Sequence, residues 1–230
     1  MTIEELIYDI KEIEAALEDD SELEDPWLLH KINNYRAAGI AEQYEAFPVV
    51  DPSWLQSIPL TTTEQVKASD DPSVTEGSID LSRVTLPEVI SLPEDMGVYR
   101  LSGSGGIIGF EPTDYDTLVM KALVGEPMAP SYGYYARIGL FAYIYPQVME
   151  VKANIIAADP TSVQIYTGSE YRDFTVSDQY PIDPRMAQMI ILKILTVDLK
   201  LNEQAVLDLV NDSQVPLKVM KDGTSKSKSN

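Results

Sequence analysis

Tyr132-Gly133-Tyr134-Tyr135-Ala136-Arg137-Ile138-Gly139-Leu140-Phe141-Ala142-Tyr143-Ile144-Tyr145-Pro146 is the stretch that decides the fold class. Its aromatic and β-branched residues favour strands, and Pro127, Pro130 and Pro146 punctuate it, so it reads as a β-hairpin. Two uses for its tyrosines stand open. They pack the hairpin on a core, or Tyr132, Tyr134, Tyr135, Tyr143 and Tyr145 form an inter-subunit surface, where tyrosine supplies large contact area at low entropy cost. The same texture spreads on both sides. From Phe47 onward, prolines at 48, 52, 59, 72, 87, 93, 112, 127, 130, 146 and 160 separate short β-prone runs. These runs are 58–63, 84–92, 98–101, 139–145, 148–157 and 162–166, while 64–78 is polar, lacks apolar period and reads as a loop.

The two ends are helical. Ile3, Leu6, Ile7, Ile10, Ile13 and Leu17 recur at spacings of three and four, one apolar stripe with Glu4, Glu5, Asp9, Glu12 and Glu14 outside it. Thr2 and Glu5 make a capping-box pattern. A second helix starts at Asp25-Pro26, an N-cap followed by proline, and runs to about Tyr44. Trp27, Leu28, Ile32 and Tyr35 form its apolar face, and Asn33, Asn34 and Arg36 are read on the other side. Asp183-Pro184 opens a third helix through Met186, Met189, Ile190, Ile194 and Val197, and a short helix follows from Asn202 to Val210. Lys218, Lys221, Lys226 and Lys228 sit in a polar tail expected to be disordered when free. The class is α+β: a helical hairpin over 1–46, a mainly antiparallel β region over 47–181, C-terminal helices over 182–211 and a flexible basic tail over 212–230.

Charge narrows the function. The net charge is −20, with one histidine and no cysteine. That composition excludes disulfides, thiolate metal sites and multi-His sites, and it opposes broad contact with DNA phosphates or anionic membranes. No stretch is long and apolar enough to span a bilayer, and no signal peptide is visible, so a soluble product made in a cytoplasm is expected. Eleven acids stand against Lys11 alone in residues 1–25.

Chemistry motifs fail on spacing. The run from Gly103 to Gly109 has Ile108 where a dinucleotide fingerprint needs glycine, and it has no Gly-Lys-Ser/Thr; it reads as a turn or β-loop. Asp114 and Asp116, Asp19 and Asp20, and Asp70 and Asp71 are paired carboxylates of the kind a net charge of −20 produces without purpose. His30, beside Leu28, Leu29 and Ile32, reads as a packed helix residue. No catalytic residue, metal ligand or cofactor is assigned.

Asp25 leading through an apolar run into Ile32-Asn33-Asn34-Tyr35-Arg36 resembles the N-terminal helices of virion neck, or ring, proteins, the head-to-tail connectors of tailed bacteriophages. The ring proteins of crAss-like phages come closest. Val50-Asp51-Pro52-Ser53-Trp54-Leu55-Gln56 resembles the segment that follows in that family, and Ser82-Arg83-Val84-Thr85-Leu86-Pro87-Glu88-Val89-Ile90 resembles its strand entering the β region. The motif positions are Asp25, Ile32, Asn33, Arg36, Asp51, Pro52, Trp54 and Pro87, and the resemblance covers about residues 3–180.

The resemblance implies a non-enzymatic subunit of a closed ring, a dodecamer, stacked below the portal protein and against other neck and tail rings at the head-to-tail junction of the virion. DNA passes through its lumen without specific binding. Acids such as Glu4, Glu5, Asp9, Glu12 and Glu14 then face the lumen or a neighbour, since carboxylates repel phosphate and let a duplex slide. The lysine-bearing tail is expected to reach another chain. Two other readings are weighed against it: a binding module using the tyrosine-rich hairpin, and a hydrolase built on carboxylates such as Asp114 and Asp116 with a divalent cation.

Overall fold

The computed structural model describes residues 1–17, 23–61, 64–67, 80–103, 108–125, 132–166, 170–203 and 205–207. Its centre is an eight-stranded sheet of β1 (Gln56–Thr61), β2 (Glu64–Lys67), β3 (Asp80–Thr85), β4 (Val98–Gly103), β5 (Gly109–Pro112), β6 (Tyr132–Ile138), β7 (Phe141–Tyr145) and β8 (Glu150–Ile155). The spatial order is β1-β8-β4-β5-β6-β7-β3-β2. All pairs are antiparallel except β5–β6, whose parallel pairing is bridged by the helix α3 (Tyr115–Val124). The aromatic stretch forms the expected hairpin, with Tyr135 opposite Ile144 and Ile138 opposite Phe141.

The connectivity rolls this sheet into a barrel. β1 and β2 stand at opposite ends of the strand order, which in a flat sheet is a separation of roughly 33 Å. Only residues 62 and 63 join Thr61 to Glu64, a link that spans at most about 11 Å. The ends therefore meet, and β1 also touches β3. Alternation along β1 and β8 sends Ile58, Leu60, Val151, Ala153 and Ile155 inward, where they join Val84, Leu101, Phe110, Tyr135 and Ile144 in the barrel core. Pro59 lies opposite Lys152 in β1. It is tolerated because β1 ladders on one side only, to β8.

The helices form a layer at one end. α1 (Ile3–Leu17) buries Ile3, Leu6, Ile10 and Ile13. Its capping box is reciprocal: Thr2 N donates to Glu5 Oε2 (2.8 Å) and Glu5 N to Thr2 Oγ1 (3.1 Å). α2 (Asp25–Ala46) and α4 (Pro184–Lys193) complete the layer, and α4 runs on into a π-helical turn, Ile194–Asp198. Asp183 caps α4 as expected, accepting from Arg185 N and Met186 N. Gly39 lets α2 and α4 touch: a Cβ there would lie 2.6 Å from Met189 Cε. Leu201 and Val206 close the same apolar cluster. A short ribbon of β9 (Gln164–Tyr166) and β10 (Tyr171–Asp173) forms its own two-stranded sheet and packs beside β1, with Lys152 Nζ of β8 4.8 Å from the Tyr166 ring centroid.

Several expectations are corrected. Glu64–Lys67 is a strand paired with β3, not part of a loop. The run 84–92 ends as a strand at Thr85, because Pro87 has no N–H for a ladder, and only an isolated bridge, Val89 to Ala157, follows. α3 was not anticipated, although Asp114 caps it and Gly125 ends it at φ 61. Asp25 is the first residue of α2 rather than its cap, so its carboxylate is free to pair with Lys11 Nζ (2.6 Å). His30 is exposed, with Nε2 2.9 Å from Asn34 Nδ2, rather than packed. Of the last short helix, residues 203 and 205–207 are helical, and 208–210 lie outside the described residues.

Candidate functional site

The positions that carried the family resemblance converge on the joint between helices and barrel. Arg36, expected on the polar side of α2, is fully buried. Leu28, Ile32, Arg36, Ile40 and Tyr44 recur at every fourth residue, and α2 turns that row inward. The Arg36 guanidinium spreads over three chain segments, donating from Nε to Pro181 O (2.9 Å), from Nη1 to Ala157 O (2.7 Å) and from Nη2 to Trp54 O (3.3 Å). Its face lies 5.8 Å from the Tyr180 ring centroid. Burial pushes its pKa down to about 10, so it keeps its charge at neutral pH.

Neighbouring residues extend the joint. Tyr180 OH donates to Asn33 Oδ1, and Asn33 Nδ2 donates to Asp159 Oδ1 (3.1 Å). Asp51 accepts from Ser53 N (2.8 Å) and so caps the short 3-10 turn Pro52–Trp54, which seats Trp54 in the helical core. On the other side of α2, Lys31 Nζ and Tyr35 OH both reach the Asp198 carboxylate, at 2.5 and 2.8 Å. Ile32, Asn33, Arg36, Asp51, Pro52 and Trp54 thus share one region, whereas Asp25 is exposed and Pro87 lies half-buried after β3. What this arrangement does chemically is saturate buried carbonyls and lock elements together.

The acidic residues of α1 divide. Glu4, Glu5 and Glu12 are exposed and Asp9 half-buried, but Glu14, read outside the apolar stripe, is 3% exposed. Burial and the charges of Glu12 and Glu5 raise the Asp9 carboxyl above its ordinary value. Asp114 is engaged as a helix cap, accepting from Thr117 N (2.8 Å); the Thr117 hydroxyl first and its N–H second lower the Asp114 carboxyl pKa, and Asp116 sits in the first turn of α3. Among the described residues, no three of His, Asp or Glu gather closely enough to hold a metal ion. Asp19, Asp20, Asp70 and Asp71 lie outside them, as do Lys218, Lys221, Lys226 and Lys228.

The tyrosines divide as well. Tyr135 is buried in the barrel, and burial pushes its hydroxyl pKa up to about 12. Tyr134, Tyr143 and Tyr145 pack with Leu118, Val119 and Ala122 of α3 over the outer face of the sheet. Tyr115 meets Tyr143 edge-on at 5.1 Å, Tyr132 meets Tyr134 at 5.6 Å, and Lys121 Nζ lies 4.1 Å from the Tyr134 ring centroid. Other apolar side chains are left at the surface: Phe47 and Val49 after α2, and Ile138, Leu140 and Phe141 at the β6–β7 turn. Sequence reading passed over them, because single exposed apolar residues are ordinary and only the fold gathers these into patches.

No helix among the described residues is long and apolar enough to cross a membrane. The family model described as phage tail ring protein 2 matches residues 5–222, and no curated protein matches the chain. The match reaches through α4 and beyond, past residue 180, where the resemblance was expected to end. With nearly its whole length matched, the chain belongs to the phage tail ring protein 2 family of crAss-like phages, structural proteins that assemble as rings in the virion.

Proposed function

We propose that this subunit closes, as a dodecamer, into a ring at the head-to-tail junction, below the portal protein and against other neck and tail rings, and that it works without catalysis or cofactor. DNA moves through the lumen during packaging and ejection. The observation that carries the reading is the excess of acid: −20 per chain, with Glu4, Glu5 and Glu12 exposed and Asp9 half-buried on α1. A wall of such carboxylates repels phosphate, so a duplex passes without adhering. Glu14 is buried within the subunit and takes no part in that wall. The lysines from Lys218 onward supply the opposite charge and reach an adjacent copy or ring.

Mass spectrometry of purified virions, with cryo-electron microscopy of the neck, tests the placement. The expected result is a ring between portal and tail with α1 toward the channel. Absence from the particle, or a channel wall that is neutral or basic, defeats the reading. Truncation of residues 217–230 is expected to loosen ring stacking; unchanged stacking removes the role given to the tail. The tyrosine-rich hairpin as a docking module is the weaker reading, since Tyr135 is taken by the barrel core and Tyr134, Tyr143 and Tyr145 pack in part beside α3.

A further inference from the structure

A ring built from identical subunits needs two different surfaces that fit each other, because a head-to-tail contact repeated about an axis never matches a patch with itself. Two unused apolar surfaces of opposite shape are present. One is a groove of about 790 Å³ lined by Phe47, Val49, Pro52, Trp54, Pro184 and Arg185. Phe47 and Val49 are 77% and 71% exposed, held in a kink by the bond from Val49 N to Phe47 O (2.6 Å). The other is a projecting tip at the β6–β7 turn, where Ile138, Leu140 and Phe141 are 48%, 49% and 37% exposed.

The tip is rigid. Arg137 Nε donates to Gly139 O (3.0 Å), and Arg137 Nη1 pairs with Asp95, tying the tip to the turn Pro93–Asp95. In that turn Glu94 and Asp95 both hold left-handed backbone, at φ 56 and 58. Two successive non-glycine residues in that region are strained and persist only where the surroundings impose them, a pattern that concentrates at working surfaces.

Topology places the two surfaces at one level on opposite sides. Asp95 stands three residues before β4, which begins beside Ile155, and Gln56 of β1 also pairs with Ile155. Tip and groove therefore share the barrel end that carries the helices. Around the barrel, β6 and β7 stand opposite β1, the strand that the groove residues lead into. Charge agrees with shape. Glu94 is exposed beside the tip and Arg185 is exposed on the groove wall, and neither has an ion-pair partner among the described residues.

We infer that the β6–β7 tip of one copy seats in the groove of the next copy, with Glu94 facing Arg185 across the contact, and that this repeat closes the ring. The inference rests on the ring reading and names its lateral contact. The chain has no cysteine, so Val49→Cys and Leu140→Cys introduced together in the full-length protein are its only thiols. In particles assembled with that variant, mild oxidation is expected to give a ladder of disulfide-linked multimers, while either single-cysteine variant stays monomeric on a denaturing gel. Arg185→Glu is expected to lose the ladder, and adding Glu94→Arg to restore it. Rings visible by microscopy without a ladder overturn the tip-and-groove contact and leave the ring standing. Particles without any ring of this chain overturn both. A ladder that Arg185→Glu abolishes and Glu94→Arg fails to restore overturns the charge pairing.

Discussion

The barrel and the helical layer satisfy their buried backbone by different means. In the barrel, carbonyls along the paired stretches meet a neighbouring strand and the core is almost wholly apolar; the buried polar side chains of the strands are Gln56, Ser82 and Ser102, which donate to the carbonyls of Pro160, Val148 and Lys152. In the helical layer, the carbonyls of Trp54, Ala157 and Pro181 belong to connecting segments with no ladder, and one arginine serves all three. The barrel's hydrogen bonding is spread over many residues, and the joint concentrates it in one. The loss of a single side chain is therefore absorbed in one region and not in the other.

Replacing Arg36 with alanine is the severest test of that contrast. It leaves three buried acceptors unserved and a void between layers, a loss expected to cost about 3–5 kcal/mol by urea denaturation. A cost under about 1 kcal/mol would mean that the helices dock by apolar contact alone. Leu118→Ala probes the sheet's outer face, where Leu118 of α3 is fully buried against Leu81 and Ala136 of the strands. A cavity there is expected to cost about 3 kcal/mol without disturbing the helical layer, so near-ultraviolet dichroism from Trp54 should hold. Tyr180→Phe removes the donor to Asn33 and keeps the ring beside Arg36. It is expected to cost about 1 kcal/mol, and Asn33→Ala, which also loses the bond to Asp159, to cost more; a double variant no weaker than Asn33→Ala alone would show that the Tyr180 hydroxyl acts through Asn33.

Two smaller effects carry opposite pH signatures. Asp178 accepts from both Arg172 Nη atoms, from Thr175 N (2.7 Å) and from Thr175 Oγ1 (2.8 Å), and the Arg172 pairing holds its carboxyl well below the usual carboxylate range. The stability it contributes is thus fully present above the unfolded value near pH 4 and fades as the pH falls toward the folded one. Asp178→Asn is expected to cost up to about 1 kcal/mol at pH 7 and progressively less below pH 4. Asp9 is raised instead, so its charge weakens the fold at neutral pH and the penalty disappears on acidification. Asp9→Asn is expected to gain a few tenths of a kcal/mol at pH 7, the size of like-charge pairs with Glu5 and Glu12 one turn away.

Local signals told most about the ends of the chain. The Thr2–Glu5 box, the α1 stripe and the Asp183-Pro184 start are written in neighbouring residues, and each forms as read. The hairpin at 132–145 was equally local. The strand order was not legible, because closing β1 against β3 depends on contacts far apart in sequence. Arg36 was misread for a more instructive reason. The four-residue row from Leu28 to Tyr44 includes it, but a charged residue weighs as polar in any periodicity, and only the carbonyls waiting at the joint make its burial favourable. α3 had its signals in Asp114 and Gly125, hidden by the β-prone texture around them. Of the candidate site, the motif positions were found without their role, and the groove and tip were invisible because each joins residues from separate segments.

Pro59 has a consequence for life in an infected cell, where many copies of one structural protein emerge from neighbouring ribosomes and fold side by side. An open sheet under those conditions recruits strands from other nascent chains, and the product is an aggregate. Here one end of the strand order carries a proline in mid-strand and the other is a four-residue strand reading Glu-Gln-Val-Lys. Neither offers a clean template for a further strand. The ends of the large sheet thus favour contact through side chains, so association there can wait for the correct partner surface instead of beginning with the backbone.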